Sequence, residues 1–175
     1  MASKTAGSKA GKGVKASNEN GVVRIGVISD THDFFDKKIR EHFKGVDHII
    51  HGGDIGLPWI ILQLEEMAPV TAVIGNADEG INYKETEVVQ IGARKFMVHH
   101  IVDPKNLTDK LKRKIIRENP DVVIFGHTHK PFCETIGSTL FLNPGYAGRQ
   151  RFELPRTLAI LTCDDQGITA DFLEL

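Results

Sequence analysis

The sequence predicts an α/β protein, an α/β/β/α sandwich of two mixed β-sheets flanked by helices. Three observations predict it. From residue 22 onward, short β-branched runs alternate with amphipathic runs, the pattern of parallel strands joined by helices. From residue 121 the chain carries five strand-like runs with only short turns between them, which adds antiparallel strands to a parallel centre. The strands also outnumber what one sheet comfortably holds, so two sheets packed face to face are the economical arrangement.

Each element has its own signature. VVRIGVISD is a β-branched strand ending at an acid, FDKKIREHFKG a short helix closed by Gly45, and VDHIIHGGD a second strand ending at an acid. LPWIILQLEEM is helical: Pro58 suits a first turn, and Ile61, Leu64 and Glu65 show the period. PVTAVIGNAD is a third strand, and TEVVQIGARKFMVHH is a hairpin with Gly92-Ala93 at or near its turn. NLTDKLKRKIIRENP is the clearest helix, with Asn106 as its cap and Leu107, Leu111, Ile115 and Ile116 as its apolar face. DVVIFGHTH, FCETIG, TLFLNPG, LAILTCDDQG and ITADFLEL complete the set. Of these, VVIF reads as a strand buried on both faces, and Gly126 frees the backbone so that His127 and His129 can turn toward one point.

Composition bounds the function. The chain has 175 residues, 41% apolar and 26% charged, enough for one domain with a substantial core. Residues 1–20 are rich in Lys, Ser, Ala and Gly and read as a disordered tail without a secretory signal, ahead of a single domain over 21–175. The net charge of −1, with no basic stripe outside that tail, disfavours nucleic acid as a partner. Cys133 and Cys163 stand alone, which excludes a disulfide framework or a zinc ribbon and points to a reducing, cytoplasmic setting. No apolar run approaches the roughly 20 residues of a membrane-spanning helix. A homo-oligomer is compatible with the sequence.

The polar residues at the strand exits carry the chemistry. They are Asp30 and His32, Asp54, Asn76, His99, and the pair His127 and His129. From His32 they recur at intervals of 22, 22, 23 and 28 residues, each about one strand–helix–strand or hairpin unit. Loops at the carboxyl ends of parallel strands converge on one crevice. Singly, each residue reads as a loop cap, a turn residue or a surface histidine; together at strand ends they read as metal ligands. Carboxylate, amide oxygen and imidazole without thiolate suit Mn, Fe, Co, Ni or Zn. Seven ligands exceed what one open catalytic ion needs and suit two ions sharing a carboxylate, a positively charged centre fitted to a phosphate ester.

SDTHD, HGGD, GNAD, VHH, GHTH and NPG, in that order, resemble the motifs of the calcineurin-like metallophosphoesterase superfamily. The shortness of the chain resembles its small single-domain phosphodiesterase branch, and the likeness runs from about Val22 to the C-terminus. The resemblance implies the four-layer sandwich already expected. It implies two divalent transition-metal ions, manganese favoured: the first held by Asp30, His32, Asp54 and His129, the second by Asp54, Asn76, His99 and His127, with Asp54 as the bridge. It implies hydrolysis of a phosphodiester by in-line attack of a metal-bridging hydroxide, with His99, His127 and Asn76 as catalytic contacts. A phosphomonoesterase or nucleotidase uses the same site, and a non-catalytic scaffold, like the retromer subunit of this fold, is the alternative from another class.

Two departures stand out. The family pattern places glycine after the fourth motif's histidine, whereas His100 follows His99 here. His100 reads as an exposed neighbour, ahead of an outer contact to the ligands or a substrate contact. Ala77 follows Asn76 where many members carry a leaving-group histidine. Among the weaker candidates, His51 reads as a strand-end residue behind the ligands, and His42 and His48 as structural or solvated. Asp78 reads as ordering the Asn76 loop, Gly52 and Gly53 as permitting close backbone approach, and Arg149 and Arg151 as candidate phosphate contacts.

Overall fold

The computed structural model describes residues 21–151 and 153–175; the predicted tail lies outside them. In chain order the elements are β1 (Val23–Ile28), α1 (Lys38–His42), β2 (His48–His51), α2 (Trp59–Glu65), β3 (Val70–Ala72), β4 (Thr86–Ile91), β5 (Arg94–His99), α3 (Asp109–Glu118), β6 (Val122–Ile124), β7 (Pro131–Ile136), β8 (Thr139–Pro144), β9 (Thr157–Asp164) and β10 (Gly167–Glu174). They form two five-stranded sheets, ordered β10-β9-β1-β2-β3 and β4-β5-β6-β8-β7. Each has a parallel trio, β1-β2-β3 in one and β5-β6-β8 in the other, extended by antiparallel strands.

The period of two sorts side chains between layers. Val23, Ile25 and Val27 of β1, Ala159, Leu161 and Cys163 of β9, Phe96 and Val98 of β5, and Val122 and Ile124 of β6 meet between the sheets. The alternate residues face outward. Leu158 and Ile160 of β9 join Ile39 of α1 and Ile60, Ile61 and Leu64 of α2 on one side. Met97 and Val123 join Leu111 of α3 on the other. The result is the expected four-layer sandwich, with each apolar face covered.

Helix α3 departs in detail from its predicted form. Thr108, not Asn106, is the cap: its backbone is extended, and its hydroxyl accepts from the Leu111 amide at 3.3 Å. Ile116 is 71% exposed, because Leu111 and Ile115 already fill the stripe that faces the sheet. Asn119 ends the helix in the left-handed region, directly before Pro120. Among the described residues no helix is long and apolar enough to cross a membrane.

Candidate metal centre

The carboxyl ends of the two parallel trios meet, and backbone bonds join them. The Asp30 amide donates to the Gly53 carbonyl at 3.0 Å and the His32 amide to the Asp54 carbonyl at 3.1 Å, tying the exits of β1 and β2. Across the sandwich, the Ala147 amide after β8 donates to the Ser29 carbonyl at 3.0 Å. The His127 amide after β6 donates to the carboxylate of Asp30 at 3.1 and 3.2 Å. The crevice is therefore a junction of both sheets.

Asp30 is fully buried. Its Oδ2 accepts from the Ser29 hydroxyl at 2.6 Å, and its Oδ1 lies 3.2 Å from His129 Nε2. His32 Nε2 lies 3.5 Å from His129 Nε2 and 3.7 Å from Asp54 Oδ2. The other oxygen of Asp54, Oδ1, accepts from the Ala77 amide at 2.8 Å. Asp54 Oδ2 is also 3.4 Å from His100 Nε2, so it sits between His32 and His100. On the open side, His127 Nδ1 and Asn76 Oδ1 are 2.9 Å apart, and the His127 ring stands edge-on to His100 with centroids 5.5 Å apart. The His129 ring stacks on Tyr146 at 5.1 Å.

The backbone is unusual in the same place. Among the described residues seven non-glycine residues have positive φ; one is the helix cap Asn119, and the other six are Asp30, His32, Asp33, Asp54, His127 and His129. Such torsions cost on the order of 1 kcal/mol or more each and gather at functional sites. Glycines make room for them. A Cβ on Gly126 would lie 2.1 Å from Ser29 Oγ and 2.5 Å from Asp30 Oδ2; one on Gly75 would lie 2.0 Å from Asp54 Oδ1. Gly126 is thus needed for space rather than for backbone freedom, since its φ is not positive. Gly52 and Gly53 serve the close approach expected of them, against Ser29 and His100.

The donor set fits a divalent cation. His100 Nδ1 donates to the Gly52 carbonyl at 2.8 Å, so Nε2 is the ring atom left for a proton or a cation; burial lowers the pKa of the ring, but Asp54 and Asp30 outweigh it and raise it. Nε2 is buried and has no hydrogen-bond partner among the described residues, yet it faces Asp54 Oδ2 at 3.4 Å and Asp30 Oδ1 at 4.0 Å. A cation, or a proton, is what three facing acceptors require. Two groups of donors lie close enough to share an ion: Asp30, His32 and His129, and Asp30, Asp54 and His100. Asp30 is common to both, but its oxygens already accept from Ser29 and His127, whereas Asp54 Oδ2 takes no N–H or O–H from a backbone amide or a hydroxyl among the described residues. Burial pushes the Asp54 carboxyl up, but His100, the Ala77 amide and His32 outweigh it and hold the pKa at about 2. Burial lowers the pKa of His32 despite the nearby carboxylates, which keeps a lone pair available to a metal.

The model of the calcineurin-like phosphoesterase superfamily domain matches residues 23–166. The chain belongs to this superfamily. It is 33% identical over 157 residues to a probable metallophosphoesterase of Methanothermobacter thermautotrophicus, covering 85% of this chain and 91% of that one. A solved archaeal phosphodiesterase superposes with a TM-score of 0.72 at 28% identity, over 87% of this chain and all 100% of that one. Vacuolar Protein Sorting 29 from Cryptosporidium parvum shares the fold, with a TM-score of 0.71 at 20% identity over 88% and 98%. Phosphoesterases of this superfamily depend on divalent metals, and the clustered donors agree with that.

Six of the seven residues expected as ligands by the superfamily pattern meet in the crevice; His99 does not. Its Nδ1 bonds to the Glu85 carbonyl and the Thr86 hydroxyl, both at 2.9 Å. The reason is strand phase. Phe96 and Val98 point between the sheets, His100 follows them, and His99 follows Met97 outward. His100 is accordingly buried, not an exposed neighbour. Phase was the signal that could have found it.

Other residues hold the side chains of the crevice in place. His51 Nδ1 accepts from the Gly53 amide, and its Nε2 meets the Thr31 hydroxyl at 3.0 Å, directly behind the site. Asp78 accepts from the Gly56 and Gly75 amides, both at 2.8 Å, and so orders the Asn76 loop as expected. Asn143 Nδ2 donates to the Gly126 carbonyl at 2.7 Å and steadies the loop of His127 and His129. The Arg149 guanidinium lies over the Phe34 ring, while the Arg151 charge is felt at His32. Ser29 and Asn143 open the SDTHD and NPG motifs, but their roles, like that of Tyr146, depend on loops from both sheets meeting.

Proposed function

We propose that the protein is a dinuclear-metal-dependent phosphodiesterase. Asp30, His32, Asp54 and His129 would hold one ion; Asp54, Asn76, His127 and His100, in place of His99, would hold the other. The observation that carries the reading is the orphaned Nε2 of His100 facing Asp54 Oδ2, an oxygen that also faces His32. Asp54 is the better bridge because Oδ1 is anchored to Ala77 and Oδ2 is left to the ions. Two bound divalent ions supply Lewis acidity, lowering the pKa of water and neutralising charge on a phosphoryl group.

The chain's own residues complete the site. Asn76 and His127 are exposed, on the open side, where a nonbridging phosphate oxygen can reach them. That open mouth supports a diester, which must leave room for two substituents, over a monoester, which has one substituent and an added charge. Ala77 offers a leaving oxygen only a methyl group, and Asp78 is committed to two backbone amides, so neither protonates it. The leaving group therefore departs with its own developing charge.

The test is hydrolysis by metal-stripped protein of aryl diesters, aryl monoesters, cyclic nucleotides and dinucleotides, each with Mn, Ni, Co, Zn and Mg. Diesters turned over ahead of monoesters, with activity abolished by chelation, are expected. A folded protein that binds metal but hydrolyses nothing would favour the scaffold reading.

A further inference from the structure

Beside the metal centre, between the β3–β4 connection, the end of β5 and the first half of α3, lies a cavity of about 410 Å³. That is within the size range of small-molecule sites. Asn76 and His100 line it, so it is continuous with the crevice. Ile74, Ile101 and Leu111 give it an apolar surface, and Ile101 is 47% exposed there. Thr86 and His99 add polar groups; with Nδ1 donating to the Glu85 carbonyl, His99 keeps Nε2 as an acceptor.

The outer side is cationic. Lys110 and Lys114 line the cavity, and Lys110, Arg113, Lys114 and Arg117 line the adjoining depression along one face of α3. This is a basic stripe outside the N-terminal segment, where the sequence had suggested none. Lys110 is paired with Glu85 at 3.5 Å and Arg117 with Glu118 at 2.7 Å. Arg113 and Lys114 have no acidic partner among the described residues.

Resting on the phosphodiesterase reading, we propose that this cavity is the subsite for one ester substituent of the substrate. It takes a ring-bearing substituent that carries a second phosphate, as in a short oligonucleotide with a terminal phosphate. The ring buries against Ile74, Ile101 and Leu111 and bonds to Thr86 or His99. The second phosphate meets Arg113 and Lys114. A substrate with small neutral substituents leaves both features unused.

The experiment compares two dinucleotides of one sequence, with and without a terminal phosphate, as substrates of the manganese-loaded protein and of Arg113→Ala/Lys114→Ala. The readout is the ratio of their kcat/KM values, in which a general loss of activity cancels. Wild type should prefer the phosphorylated dinucleotide by about five- to tenfold, the worth of two partly exposed charge contacts, and the double variant should lose that preference. Equal values in wild type, or a preference the variant keeps, would overturn the subsite. If no diester is hydrolysed with any metal, the phosphodiesterase reading fails, and binding decides the subsite separately. Thymidine 3′,5′-bisphosphate should then bind tighter than thymidine 5′-monophosphate by a similar factor, and only in wild type; equal affinities would overturn it.

Discussion

The ends of β5 and β6 lie side by side in one sheet, each delivers two histidines, and they deliver them by opposite means. After β5 the chain keeps strand phase: neither His99 nor His100 has positive φ, and the two side chains go to opposite sides. After β6 the chain enters left-handed conformations at both His127 and His129. There one histidine reaches Asp30 and the other reaches Asn76. An extended exit brings one of its two histidines into the crevice; a left-handed exit brings both. The residue that counts after an extended strand is therefore set by the parity of its apolar neighbours.

The largest expected effect is at Asp54, the proposed bridge, which His100 of the β5 exit faces. Asp54→Ala removes the oxygen between His32 and His100, and should cost more than the roughly 10–100-fold that loss of an outer partner costs a metal site. Turnover of an aryl diester at moderate metal concentration measures it; near-wild-type activity would remove Asp54 as the bridge.

Next is the leaving group. A positioned general acid contributes about 10²–10⁴-fold, mostly for poor leaving groups. With alanine at 77, rates across a series of aryl and alkyl diesters should fall steeply with leaving-group pKa. Ala77→His should flatten that slope and raise alkyl diester hydrolysis by about 10²-fold, the low end, because Asp78 is not free to orient the imidazole. Equal and shallow slopes in both proteins would mean that another group already supplies the proton.

The smallest effect concerns a histidine far in role from the ligands. His48 on β2 is buried and bonded to the Thr71 hydroxyl at 2.8 Å, and burial pushes its pKa from 6.5 down to about 4. The folded state thus resists protonation that the unfolded chain accepts. The stability tied to the neutral ring is complete above pH 6.5 and is lost as pH falls toward 4. At pH 5 the loss is about 2 kcal/mol. Urea unfolding at pH 7 and pH 5 should show it, and because buried His51 is lowered to about 4 as well, His48→Gln should reduce the difference without abolishing it; an unchanged pH slope in that variant would place the sensitivity elsewhere.

Much of this was legible in the residues. The alternation of β-branched and amphipathic runs made the sandwich readable, and Gly92-Ala93 marked the hairpin turn that the register of Ile91 with Arg94 bears out. Asp30, His32, Asp54, Asn76, His127 and His129 were readable because strand exits in parallel sheets converge. His99 was expected in the crevice because proximity to the strand end was weighed above the phase shared by Phe96, Val98 and His100, and the structure brings His100 to Asp54. The basic face of α3 was hidden because a net charge of −1 averages over the fold, whereas Lys110, Arg113, Lys114 and Arg117 share a face only at helical spacing. The left-handed backbone of the ligands had no residue signature, since aspartate and histidine adopt it only where surrounding bonds hold it.

The exchange of His99 for His100 is the point on which the account of the centre turns. The direct measurement is metal content, by elemental analysis of protein equilibrated with manganese and freed of excess, for wild type, His99→Ala and His100→Ala. Two ions per chain in wild type and in His99→Ala, with about one in His100→Ala, is the result predicted. Loss of an ion from His99→Ala while His100→Ala keeps both would contradict it.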